Sequence, residues 1–75
     1  MAVADEMFER ALSLASSGTE RRQAVSELLE CSGQRRLPAV LARQRVHGRL
    51  EEAPNDAQLS TAHQFLSDVV AQLPP

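Results

Sequence analysis

The stretch Asn55–Leu73, NDAQLSTAHQFLSDVVAQL, decides the fold. Its apolar residues Leu59, Ala62, Leu66, Val69 and Leu73 fall alternately three and four positions apart. That spacing lines them up on one side of a helix, as a seam that packs lengthwise on other helices. At 1.5 Å per residue the seam is a rod face about 20 Å long. Phe65 and Val70 widen it. A half-buried strand would instead alternate at every second residue, and no stretch of the chain does so. Ala53-Pro54-Asn55-Asp56 breaks the chain ahead of the seam, and Asn55 with Gln58 has the form of a capping box. A helix is therefore expected near 56–73, stopped by Pro74-Pro75.

Three further helices are expected upstream of this one. Val3/Ala4, Met7/Phe8, Ala11/Leu12 and Leu14/Ala15 share a face, with Asp5, Glu6, Glu9 and Arg10 opposite, which predicts a helix near 4–17. Ser16-Ser17-Gly18 ends it. Thr19, or Ser17 paired with Glu20, caps the next, near 20–32, whose stripe is Ala24, Val25, Leu28 and Leu29. Pro38 is tolerated only in a first helical turn, so the third helix runs near 37–52. Leu37, Val40 and Leu41 share one of its faces, continuing into Gln44, His47 and Gly48. Ala39, Val46 and Leu50 lie almost opposite, which predicts a helix held between two apolar surfaces.

Residues 1–75 thus form one all-α domain, a small bundle of about four short helices. A chain this short buries only about 60–65% of its unfolded surface, so self-association or a partner is a natural way to complete the core. On that ground the helix-four positions Leu59, Leu66, Val69 and Leu73 are candidate partner-binding residues. The longest apolar run, as at Val40–Ala42, is far too short to span a membrane.

Charge is divided unevenly along the chain. Residues 1–32 hold six acids and three arginines, 33–50 hold five arginines and no acid, and 51–75 hold four acids and no base. Arg35, Arg36, Arg43, Arg45 and Arg49 must therefore answer to the flanking acids, to an acidic partner, or to a phosphate backbone. Arginines at the start of a second helix suit a helix-turn-helix on nucleic acid. Against this, the turn around Gly33 is flanked by Ser32 and Gln34 rather than apolar residues. The overall charge of −2 and pI near 5.6 also disfavour polyanion binding. With two phenylalanines as the only aromatics, stacking on bases has little to use.

The chemistry-bearing residues are few. Cys31, His47 and His63 stand 16 residues apart, with no pair at helical i, i+3 or i+4 spacing, so neither a metal site nor a nucleophilic pair is expected. No phosphate-loop, nucleophile-elbow or H-E-x-x-H motif is present. No catalytic residue, cofactor or small-molecule substrate is expected, and Cys31 reads as a structural thiol. A lone cysteine and the absence of a basic, apolar leader pattern in Met1–Glu9 point to the cytoplasm. Eight arginines with no lysine and no isoleucine suggest a GC-rich bacterial source.

Leu50–Leu59, followed by Gln64 and Leu66-Ser67-Asp68, resembles the helix–loop–helix hairpin of type III secretion needle subunits. The resemblance covers residues 50–68 and implies a hairpin that packs with other chains; the long C-terminal helix of such subunits is lacking. Acyl and peptidyl carrier proteins match in size and acidity, but Gly18-Thr19-Glu20 stands where their phosphopantetheine serine would be. The expected function is a non-enzymatic protein-interaction module, such as an adaptor, chaperone or regulatory subunit. The alternative is a small nucleic-acid binder using the arginines of 35–49.

Overall fold

The computed structural model describes residues 2–75, and among these there are four helices and no strand. They are α1 (Ala2–Ser16), α2 (Arg21–Ser32), α3 (Arg36–Glu52) and α4 (Ala57–Gln72). Every helix touches the other three; α3 and α4 share the most contact, α2 and α3 the least. The radius of gyration is 10.9 Å, against about 11 Å for a compact chain of this length. The accessible surface, 4464 Å², also matches the roughly 4500 Å² of a folded monomer of this mass. The four helices thus close on one another as a bundle.

Alanine makes the closure possible. Ala4 and Ala11 of α1, Ala24 of α2, Ala39 and Ala42 of α3 and Ala62 of α4 are all buried, letting short helices approach closely. Larger side chains fill the space between them: Met7, Phe8, Leu28, Val46, Leu59, Phe65, Leu66, Val69, Val70 and Leu73. The α4 seam lies wholly in this core. Leu59, Leu66, Val69 and Leu73 are 5, 0, 0 and 4% exposed, so the partner-binding surface expected on them is instead covered by α1, α2 and α3.

On α3 the burial pattern corrects the expected one. Pro38, Ala39, Ala42 and Val46 form one buried face, with Leu50 half-buried beside it. Val40 also leans on the core, but Leu37 is 58% exposed, and Leu41 does not join the cluster. The helix is therefore buried on one side only. Its two small alanines carry the inner face, Leu37 is left outside and Leu41 is half-buried.

The connections also differ in detail from expectation. Glu20, not Thr19, is the N-cap of α2 and makes no side-chain cap bond; the Thr19 hydroxyl lies 2.7 Å from that of Ser17 instead. Asp56, not Asn55, caps α4, its carboxylate accepting from the Leu59 amide at 3.1 Å. Gln58 is released from any capping box and donates from Nε2 to the Leu12 carbonyl at 2.9 Å, tying α4 to α1. Gly33 ends α2 in the left-handed region, with its N–H donating to Glu30 and that of Gln34 to Leu29, the paired bonds of a Schellman cap. Gln34 is itself left-handed, at φ 64°. Fully buried Ser32 holds that conformation: its hydroxyl donates to the Leu29 carbonyl at 2.7 Å and accepts from the Gln34 amide at 3.2 Å.

Candidate functional site

The surface that the fold leaves unexplained is the outward side of α3. At about 100° per residue, Leu37, Leu41, Gln44 and Gly48 fall within an arc of about 60°. Arg36, Arg43 and His47 lie along one edge of that arc, and Arg45 and Arg49 along the other. Gly48 adds an opening: a Cβ built there would meet nothing within 4 Å. A glycine inside a helix costs roughly 0.5–1 kcal/mol relative to alanine, and no packing within the chain requires it. Glu51 and Glu52, both exposed, close the C-terminal end of the face with negative charge.

The five arginines of this helix and its lead-in have different surroundings. Arg45 Nη1 donates to Asp5 Oδ1 of α1, and its guanidinium sits 4.4 Å above the ring of buried Phe8. Arg49 lies 5.9 Å from the same ring. Arg35 and Arg36 are exposed and Arg43 half-buried, and none of the three forms an ion pair among the described residues. Internal acids therefore answer one arginine of the five. A second interhelical pair lies outside the stretch: Arg21 of α2 grips Asp68 of α4 with two hydrogen bonds, one at 2.8 Å from Nη2 to Oδ1. That bond holds the Asp68 carboxyl below its usual range. The pair bridges an open groove of about 630 Å³ between α2 and α4, with Val25 and Leu29 among its lining.

His47 and His63, far apart in sequence, meet across the α3–α4 contact with ring centroids 6.1 Å apart. Arg43 and Gln44 join them around a cleft of about 180 Å³. Burial foremost, then the charges of Arg43 and His47, holds the His63 imidazole below its ordinary value. Cys31 lies elsewhere, half-buried against the core near Glu6 and Arg10 of α1, and burial pushes its thiol up. Among the described residues no group of three or more His, Cys, Asp or Glu side chains is arranged to hold a metal.

The sequence predicts that both faces of α3 pack against apolar surfaces. In the structure Leu37 instead stands exposed, Leu41 is half-buried outside the core cluster, and the two histidines meet. The helix-turn-helix reading gains exposed arginines at the start of α3, yet α2 and α3, which that motif packs together, touch least of all. No described helix is long and apolar enough to cross a membrane. No protein-family model, curated protein or solved structure matches the chain.

Proposed function

We propose that this chain is a small non-enzymatic interaction module that binds an acidic, amphipathic helix of a partner protein along the outward face of α3. The observation that carries this reading is Leu37, 58% exposed and aligned with Leu41, with arginines on both sides. A partner helix laying its own leucines on this strip would remove apolar surface worth about 25 cal/mol per Å². Acids flanking those leucines would meet Arg35, Arg36 and Arg43, which have no acid of their own. Gly48 admits the close approach of a second backbone. Such a module suits a bacterial cytoplasmic adaptor or regulatory subunit, in keeping with the arginine-rich, lysine-free composition and the unpaired Cys31.

A second reading, contact with a nucleic-acid backbone, draws on the same unpaired arginines. One experiment separates the two. A labelled peptide with leucines at i, i+4 and glutamates between them is titrated by fluorescence anisotropy, beside a labelled duplex DNA, at low and moderate salt. The interaction reading expects saturable peptide binding that weakens when Arg35, Arg36 and Arg43 are changed together to glutamine. DNA binding that falls steeply with salt, with no response to the peptide, would favour the alternative.

A further inference from the structure

The His47–His63 cleft lies at the edge of the α3 face and has a chemistry of its own. All four residues around it, Arg43, Gln44, His47 and His63, carry nitrogen donors, and none is a carboxylate. α3 supplies the first three and α4 the fourth. Glu51 lies one turn along α3, with Oε1 3.7 Å from Nδ1 of His47 and its side chain 72% exposed. Its position beside Nδ1 leaves Nε2 of His47 for another partner. The space, about 180 Å³, equals the volume of about six waters, enough for a tetrahedral oxyanion with some of its hydration.

We propose that this cleft binds one phosphoryl oxyanion of the phosphomonoester class, held by the Arg43 guanidinium, the Gln44 amide and the imidazoles of His47 and His63. Arginine offers two N–H groups in a fork that matches two oxygens of a phosphoryl group. The two rings add donors that gain charge on protonation. A divalent metal would meet the Arg43 charge and only two imidazoles, whereas zinc sites use three or four ligands. A monoester carries close to two charges near neutral pH and a backbone diester carries one, so the Arg43 charge, joined by two rings able to take up a proton, favours the monoester. The net charge of −2 further disfavours a long polyanion.

The titration of His63 gives the readout. Burial, Arg43 and His47 hold its ring below the ordinary histidine range, so in the free protein it takes up its proton only at a lower pH than an ordinary histidine does. A bound anion opposes the two charges and raises the midpoint. The ring resonances of His47 and His63 are followed by NMR against pH, in inorganic phosphate and in chloride at equal ionic strength. Phosphoserine and dimethyl phosphate serve as the monoester and diester arms. The expected result is saturable phosphate-dependent shift of both rings, a raised His63 midpoint, and tighter binding of phosphoserine than of dimethyl phosphate. Arg43→Gln, a change on a half-exposed side chain, should weaken phosphate binding about tenfold or more. Chloride reproducing the phosphate response, shifts that never saturate, or an unaffected Arg43→Gln variant would overturn the proposal. So would a stronger response to zinc alone, or equal binding of monoester and diester.

Discussion

Arg45 and Arg36 stand on the same helix, and their surroundings give them different work. Arg45 reaches Asp5 and covers the ring of Phe8, so it fastens α3 to α1. Arg36 is exposed and has no acid partner among the described residues. An exposed ion pair is worth about 0–1 kcal/mol and an exposed cation–π contact about 0.5–1 kcal/mol. Arg45→Glu should therefore lower unfolding free energy by about 1–2 kcal/mol, because it loses both contacts and sets a carboxylate beside Asp5. Arg36→Glu should stay within about 0.5 kcal/mol of the parent. Urea denaturation of the two variants checks this, and equal losses would mean the arginines share one structural role. The charge pattern in the sequence left these residues to answer to flanking acids, an acidic partner or a phosphate backbone. It did not show that only Arg45 would find an acid, because a pairing across helices depends on which face each residue takes.

At the scale of the element, α4 and α3 explain what was legible and what was not. The α4 seam was readable because its positions are regular and mostly large: Leu59, Leu66, Val69 and Leu73 could hardly point anywhere but inward. The inner face of α3 rests on Ala39 and Ala42, and alanine is as common on a helix surface as in its core. Leu37 and Leu41 then suggested a second packed face, beside the Ala39 and Val46 face that is buried. Caps slipped by a residue for a related reason: Asn55 and Asp56 are both capable caps, and only the turn geometry selects Asp56. The α2–α3 turn supplies a test of its own. Gln34 takes a left-handed conformation that costs a residue with a Cβ about 1–2 kcal/mol, partly offset by the extra freedom glycine has when unfolded. Gln34→Gly should stabilise the protein by roughly 0.5–1 kcal/mol, read as a rise in melting temperature. A fall would mean that the glutamine side chain itself secures the turn.

Taken whole, the molecule closes its core by itself and leaves α3 with an unused outer face. A domain of this size has about 4–11 kcal/mol of stability in total. Val69→Asp would bury a charge in a site with no exposure, at a cost of several kcal/mol, and should unfold the chain. Circular dichroism at low temperature would register the loss of helix; a variant that kept its helices and changed only its mass in light scattering would return the α4 seam to an interface. On the proposed function, exposed Leu37 serves a partner and not the fold. Leu37→Asp tests it most directly, through binding of the leucine–glutamate peptide measured on a variant whose melting temperature is recorded alongside. The expected result is an unchanged melt, within the effect of about 0.5 kcal/mol usual for surface changes, together with loss of peptide binding. A variant that binds the peptide as the parent does, or that melts far lower, would contradict it.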